Sequence, residues 1–143
     1  MERIKKISLK TMALFSLVAV MLIGCCTTAF AAGNYSDTWF EFYTDNSGGD
    51  YLTPIRGKWD YTSSYVYNNN SDCGIRVNVM GCSANGRTMD YCSVNGLEQV
   101  ELGQWKYLPN WVKERGYNYC RLMVTAAYHY PVHLQCLWSP DSI

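Results

Sequence analysis

Hydrophobic and polar residues alternate along much of the chain after residue 35, and a period of two predicts β-strands. The clearest case is the segment 73–81, in which Ile75, Val77 and Val79 share one face. This alternation is typical of a half-buried strand. Further strands are predicted from alternating or aromatic-rich runs over 36–44, 58–61, 64–67, 88–94, 97–102, 104–107, 118–125 and 132–138.

Polar segments rich in glycine and asparagine separate these strands. Asn85-Gly86 and Asn95-Gly96 are dipeptides favoured at two-residue hairpin turns. A last hairpin is predicted around Tyr128, between the final two strands. Many short strands divided by such turns predict an all-β protein, either a small antiparallel β-sandwich or a barrel-like meander.

Residues 110–115 are the one segment predicted to be helical. Asn110 can cap the N-terminus of a helix, and Gly116 can take the left-handed conformation that ends one. The segment gives little more than one turn, so packing of Trp111 and Val112 must support it.

The first 31 residues depart from the β pattern and have the organisation of a secretory signal peptide. A basic segment precedes an apolar run over 12–23, and Ala29-Phe30-Ala31 provides small residues at the cleavage position. We therefore predict a signal peptide over 1–31, cleaved between Ala31 and Ala32, followed by a single secreted β domain over 32–143.

Two alternatives to cleavage and release stay open. The apolar run, extended to Phe30, is about long enough to span a bilayer, which would anchor the protein on the outer face of the cytoplasmic membrane. Leu22-Ile23-Gly24-Cys25 is similar to a lipobox, which would make Cys25 a lipidation site. Contact with the membrane is expected only in these two cases.

Charge and composition restrict the partners. The whole chain carries 12 Lys and Arg against 12 Asp and Glu. Removing residues 1–31 takes away four basic residues and one acidic residue, so the mature domain has 8 against 11 and a net charge of −3. Because no basic patch remains, nucleic acid is not an expected partner. All 12 Tyr and all 5 Trp lie in the mature domain, which favours sheets over helices.

An exported domain with cysteines is expected to form disulfides. In a hairpin centred on Tyr128, Cys120 stands directly opposite Cys136, and we predict a disulfide between them. Cys82 and Cys92 flank the Asn85-Gly86 turn and are a second predicted pair. A two-residue turn pairs Cys82 with Met89 and Val79 with Cys92, which places the thiols of Cys82 and Cys92 on opposite faces. Their disulfide therefore requires a longer or bulged loop. The fifth cysteine of the domain, Cys73, is left over.

No catalytic, metal-binding or cofactor-binding residue is predicted. The two histidines, His129 and His133, are separated by Pro131 in a β context, which does not suit the helical spacing of a zinc motif. Most tryptophans are expected in the core, because the domain has few other large apolar side chains. Exposed aromatic rings on a sheet can stack on sugars or anchor a protein partner. Trp105 and Trp111, which flank the predicted helix, are the predicted binding surface.

Several motifs of the C-terminal third resemble a family of small secreted proteins from Gram-positive bacteria. They are Tyr107-Leu108-Pro109-Asn110, Val112-Lys113-Glu114, Gly116-Tyr117 and Leu137-Trp138-Ser139-Pro140-Asp141-Ser142. The family is uncharacterised and has no established function. The resemblance therefore implies export and a Gram-positive source, and it carries over no functional residue.

These observations predict a non-enzymatic extracellular protein that acts by binding the cell envelope or another protein. A bacteriocin-like role in competition between bacteria is a specific form of this prediction. The alternatives are a small hydrolase that acts on the cell wall and a lipid-anchored envelope protein.

Overall fold

A computed structural model of the chain describes residues 33–45 and 49–143. The predicted signal peptide, its cleavage site at Ala31 and Ala32, and the lipidation candidate Cys25 lie outside the described residues. The described residues contain ten strands: β1 (Thr38–Tyr43), β2 (Tyr51–Leu52), β3 (Arg56–Gly57), β4 (Ser64–Asn68), β5 (Ile75–Cys82), β6 (Met89–Tyr91), β7 (Glu98–Val100), β8 (Gln104–Leu108), β9 (Tyr119–Ala126) and β10 (His133–Ser139).

The strands form two antiparallel sheets. Sheet A has four strands in the order β1-β10-β4-β8. Sheet B has six, with β9 and β5 at its centre; β2 and β3 pair with β9, and β6 and β7 pair with β5. Neither sheet is arranged as a meander, because neighbours in space are mostly not neighbours in the chain.

One hydrophobic core fills the space between the two sheets. Sheet A contributes Leu134 and Trp138, and sheet B contributes Val77 and Leu122, all fully buried. In β4, β9 and β10 alternate residues point into this core, as a half-buried strand requires. The predicted all-β class is therefore confirmed: the architecture is a β-sandwich that does not close into a barrel. No described helix is long and apolar enough to cross a membrane.

The predicted hairpin around Tyr128 is wrong. β9 is hydrogen-bonded on both edges within sheet B, and β10 lies between β1 and β4 in sheet A. Residues 127–132 therefore carry the chain from one sheet to the other. The alternation of β9 and β10 is the same in either arrangement, since both strands turn one face to the same core.

The Asn85-Gly86 hairpin forms in the predicted register. Cys82 is opposite Met89, and the N–H of Cys92 donates to the carbonyl of Val79 at 2.8 Å. Gly86 has φ = +69°, which suits glycine in a turn. Asn95-Gly96, by contrast, does not join a hairpin, because β6 and β7 both run along the same edge of β5.

The predicted helix over 110–115 is also wrong, since the described part of the chain contains no helix. Residues 112–116 form a turn in which the N–H of Arg115 donates to the carbonyl of Trp111 at 3.0 Å. Asn110 forms a β-bridge with Ser93, and its Oδ1 accepts the N–H of Val112 at 3.4 Å, so it caps this turn as predicted although no helix follows. Gly116 does close the turn as expected, with φ = +82°. A single turn forms too few hydrogen bonds to offset the conformational entropy that is lost when a helix is nucleated.

All five cysteines of the described residues are free and buried. The strand pairing behind the predicted Cys120–Cys136 disulfide is absent: Cys120 is opposite Gly81 in sheet B, and Cys136 is opposite Phe40 in sheet A. Cys92 belongs to the core cluster and Cys82 does not, as their opposite faces on the hairpin require. These side chains fill the interior as small apolar groups.

Burial makes these thiols unreactive in the folded protein. It raises the pKa of Cys120 to about 12 and that of Cys136 to about 11, so the reactive thiolate is scarce at neutral pH. We expect a maleimide reagent to modify the native thiols at least about 1,000-fold more slowly than the unfolded ones, because labelling must wait for unfolding. Mass spectrometry of labelled protein, with and without denaturant and without reductant, measures this. Rapid native labelling, or loss of label after denaturation because disulfides exist, would contradict it.

Candidate functional site

The outer face of sheet A is covered by aromatic side chains. We call this surface the aromatic face and define it by Trp39, Tyr65, Tyr67, Trp105, Tyr107 and Leu137. It arises from alternation in the four strands of sheet A: β4 and β8 each place two aromatic residues two positions apart, while Val66 of β4 and Leu108 of β8 are buried in the core.

The strand register aligns four of these side chains in one row across the sheet. Trp39 is opposite Leu137, Leu137 is opposite Tyr67, and Tyr67 is opposite Trp105. Neighbouring strands lie about 4.8 Å apart, so the row is about 14 Å long. At one end the rings also contact each other: Trp105 and Tyr107 meet edge to face with centroids 5.2 Å apart.

A cleft of about 180 Å³ adjoins the aromatic face and shares Tyr65 and Tyr107 with it. Asp37 and the C-terminal residues Ser139 and Ser142 supply polar groups to its lining. Burial and the nearby Asp37 carboxylate raise the pKa of Tyr65 above its ordinary value, so its hydroxyl remains a neutral donor and acceptor. The cleft thus offers hydrogen-bonding groups directly beside stacking surfaces.

Farther along β1 and β10, the same outer face of sheet A is polar. His133 Nε2 lies 2.7 Å from Glu41 Oε1, and the His133 ring stacks on Tyr43 with centroids 4.6 Å apart. Gln135 stands opposite Glu41 between this group and Leu137. Sheet A therefore presents a strip of aromatic rings bordered by amide, carboxylate and hydroxyl groups.

The two tryptophans of the predicted binding surface are in different places. Trp105 lies in β8 on the aromatic face and is 57% exposed. Trp111 is 45% exposed but follows β8, where its N–H donates to the carbonyl of Cys92. The expectation that most tryptophans are core is wrong: Trp138 is fully buried, whereas Trp39 and Trp59 are also more than half exposed.

A group of charged side chains is buried beside the cleft, whose lining includes Asp141. Lys58 follows β3, and its ammonium group is completely buried. Its Nζ lies 2.7 Å from Oδ1 of Asp141, also completely buried, and 3.6 Å from Oδ1 of Asp60. It donates a further hydrogen bond to the carbonyl of Thr62. The segment 58–61 was predicted as a strand, but it is a loop whose charged residues point inward.

Backbone and side-chain donors hold both carboxylates in place. Oδ2 of Asp141 accepts the N–H groups of Asn34, at 2.5 Å, and of Trp59, at 3.1 Å. Asp60 accepts the N–H and the hydroxyl of Thr62 and the hydroxyl of Tyr35. Burial alone would raise the pKa of Asp60, but these hydrogen bonds outweigh it and hold that pKa below its ordinary value.

The sequence contained signals for both groups. Aromatic residues recur at every second position in 65–67 and 105–107, which predicts one aromatic sheet face once the strands are known to pair. Asp141 lies in the Ser-Pro-Asp-Ser motif that carried the family resemblance, but nothing in the sequence pairs it with Lys58, 83 positions away.

Within the residues that the structure describes, no three His, Cys, Asp or Glu side chains are grouped closely enough to hold a metal ion. A search of curated proteins and a search of solved structures each gave no match. A family model described as a protein of unknown function, DUF2712, matches residues 27–142. This agrees with the uncharacterised family expected from the C-terminal motifs. Because the match covers more than half of the chain, the protein belongs to the DUF2712 family of proteins of unknown function.

Proposed function

We propose that the protein is a non-enzymatic binding protein outside the cell and that its aromatic face binds an uncharged glycan strand of the cell envelope. The observation that carries this proposal is the row formed by Trp39, Leu137, Tyr67 and Trp105 across four strands. A rigid sheet holds these side chains at regular spacing, which suits an extended polymer of flat rings better than a small ligand.

The chemistry of a sugar ring matches this surface. One face of a pyranose presents C–H groups, which pack on the faces of aromatic rings, while its hydroxyls point outward along the ring plane. The hydroxyl of Tyr65 and the polar lining of the cleft lie beside the rings and can accept and donate hydrogen bonds to such hydroxyls. Preorganised aromatic residues lose little conformational entropy on binding, because the sheet already orders them.

Charge favours an uncharged glycan over an anionic polymer. The charged groups beside the rings are the carboxylates of Asp37 and Glu41. Lys106 in β8 is instead paired with Glu98, with Nζ and Oε2 2.7 Å apart. A phosphate-rich polymer would meet like charge here, whereas the glycan strands of peptidoglycan would not be repelled.

Co-sedimentation with purified peptidoglycan tests the proposal. We expect Trp105→Ala to weaken binding about 10- to 30-fold, a loss of about 1.4–2 kcal/mol, because it removes an exposed ring at the end of the row. Tyr67→Ala should weaken binding similarly, and a Trp39→Ala, Trp105→Ala double variant should abolish measurable binding. Each variant changes an outward side chain, so circular dichroism should show the wild-type fold.

Trp111→Ala is the matched control, because it removes another large exposed tryptophan that is not on the aromatic face. Equal loss of binding in this control would show non-specific adhesion and contradict the proposal, as would full binding by the double variant. Release of soluble sugars or peptides during the incubation would instead indicate the hydrolase alternative. If the protein binds a purified protein partner but not peptidoglycan, the ligand of the aromatic face is a protein and the glycan proposal is wrong.

The proposed location outside the cell rests on the leader pattern over 1–31, and a Gram-positive source rests on the family resemblance. N-terminal sequencing of protein recovered from culture medium and from membranes separates cleavage at Ala31 from lipidation at Cys25. No observation on the described residues favours a bacteriocin-like role or a hydrolytic site, and neither is part of the proposal.

A further inference from the structure

We propose that Lys58 and Asp141 condense spontaneously in the folded protein, forming an isopeptide bond between Lys58 Nζ and the side-chain carbonyl carbon of Asp141. The proposal is independent of glycan binding. It assigns a covalent modification site to the buried charged group that lies beside the cleft, and it requires no enzyme, cofactor or metal ion.

The reacting groups are already in contact. Lys58 Nζ lies 2.7 Å from Oδ1 of Asp141, and both side chains have no exposed area. When two reacting groups are held in contact, their reaction becomes unimolecular, and its effective molarity is far above any concentration that can be reached in solution. The strands on either side hold this geometry: Lys58 directly follows β3 in sheet B, and Asp141 closely follows β10 in sheet A.

The environment of Asp141 also polarises its carboxyl group. Oδ2 accepts the backbone N–H groups of Asn34 and Trp59, an arrangement that stabilises negative charge developing on that oxygen. Oδ1 instead faces Lys58. The two oxygens thus have different roles: Oδ2 carries the charge of a tetrahedral intermediate, and Oδ1 leaves.

Asp60 is placed to transfer the protons. Its Oδ1 is 3.6 Å from Lys58 Nζ, which in turn lies 2.7 Å from Oδ1 of Asp141. Burial raises the pKa of Asp60, but hydrogen bonds from Thr62 and Tyr35 outweigh this effect and keep that pKa below its ordinary value, so Asp60 is ionised at neutral pH. Its position beside the ammonium group then lets it carry a proton briefly from Nζ. Asp60 is therefore the general base of the proposed reaction.

The reaction balances without a co-reactant. Asp60 takes one proton from the ammonium group and passes it to Oδ1, which leaves a neutral amine beside a neutral carboxylic acid. Nζ then attacks the carbonyl carbon, and Oδ2 bears the negative charge. Asp60 transfers a second proton from nitrogen to Oδ1, the C–Oδ1 bond breaks, and one water leaves. The amide nitrogen keeps the third proton.

The product satisfies the site better than the ion pair does. The single amide N–H can keep the hydrogen bond that Lys58 donates to the carbonyl of Thr62. The amide oxygen can keep the N–H groups of Asn34 and Trp59. Two charges without solvent contact are replaced by a neutral, fully hydrogen-bonded amide, which removes the desolvation penalty of a buried ion pair. Asp60 loses the nearby ammonium group but keeps its hydrogen bonds from Thr62 and Tyr35.

Mass spectrometry of the purified, reduced protein, with its N-terminus defined by sequencing, tests the proposal. We expect the wild-type protein to be lighter than its sequence mass by one water. Digestion after denaturation should yield one branched peptide that joins Lys58 to Asp141, with no cleavage after Lys58. Lys106 and Glu98 provide an internal control: they are also 2.7 Å apart, but the Lys106 side chain is 43% exposed, so their peptides should remain separate.

Variants separate the chemistry from the fold. Asp60→Asn should retain the wild-type circular dichroism and show the full sequence mass, because the base is lost while the ion pair remains. Lys58→Met should also show no loss of water. A folded wild-type protein at full mass, with free Lys58 and Asp141 peptides, would overturn the proposal. Cross-linking of Asp60→Asn at the wild-type rate would overturn the role of Asp60.

Discussion

Replacing Lys58 with alanine is expected to lower the free energy of unfolding by about 3–5 kcal/mol, because it leaves a buried carboxylate without its counter-ion. Asp141 has no exposed area, and its carboxylate then keeps only the uncharged backbone N–H groups of Asn34 and Trp59. The change also opens a space where the long lysine side chain had packed. Urea denaturation followed by circular dichroism measures the difference, provided that the m value is unchanged.

The comparison is best made in the Asp60→Asn background, in which the proposed cross-link does not form and the measured difference contains no contribution from it. Lys58→Met with Asp141→Leu is the matched control, since it removes both charges and fills the space. We expect this pair to recover at least half of the loss, as apolar replacements of buried ion pairs commonly do. A loss below about 1 kcal/mol for Lys58→Ala would mean that Asp141 is solvated, as surface ion pairs are.

The contact between Lys58 and Asp141 could not be predicted from the sequence. Lys58 is the first residue of the predicted strand 58–61, where a lysine side chain is expected to be in solvent. The alternation of this segment is that of an edge strand. The position of Lys58 depends on the packing of residues that follow β10 against the loop after β3, a contact between distant parts of the chain. Local patterns carry no information about such a contact.

The sequence predicts the positions of strands and the register of a short hairpin better than it predicts which distant strands lie side by side in a sheet. The alternation of Ile75, Val77 and Val79 predicted both the extent of β5 and its core face. Asn85-Gly86 predicted the pairing of Cys82 with Met89, because a short turn leaves few registers open. The connection over 127–132 is equally compatible with a hairpin and with a crossing between sheets, so the Cys120–Cys136 pairing inferred from it failed.

The prediction that most tryptophans lie in the core is wrong for a physical reason. A domain with few Leu and Phe was expected to place its tryptophans inside, but valine and cysteine fill much of the core instead. Their smaller side chains let the two sheets pack while Trp39, Trp59, Trp105 and Trp111 remain exposed. Four large exposed rings cost solubility without contributing to the core, and this supports a binding role for those that the sheet aligns.

The second large effect is expected at Trp138, the one fully buried tryptophan. Trp138→Ala should lower the free energy of unfolding by about 3–5 kcal/mol, because it leaves a cavity between the sheets that the surrounding strands cannot close. Its strand lies between β1 and β4, so both neighbours of sheet A lose contacts. The Arg56 guanidinium, 5.4 Å from the centre of the ring, also loses its stacking surface.

Trp138→Phe is the informative control. The indole Nε1 is buried and has no hydrogen-bond partner among the described residues, so phenylalanine removes an unsatisfied donor while keeping one aromatic ring. We expect this variant to lie within about 1.5 kcal/mol of wild type. Denaturation midpoints from circular dichroism measure both variants, since the fluorescence of the protein changes with the substitution. If phenylalanine proves as damaging as alanine, the indole N–H contributes a hydrogen bond and Trp138 acts through more than its volume.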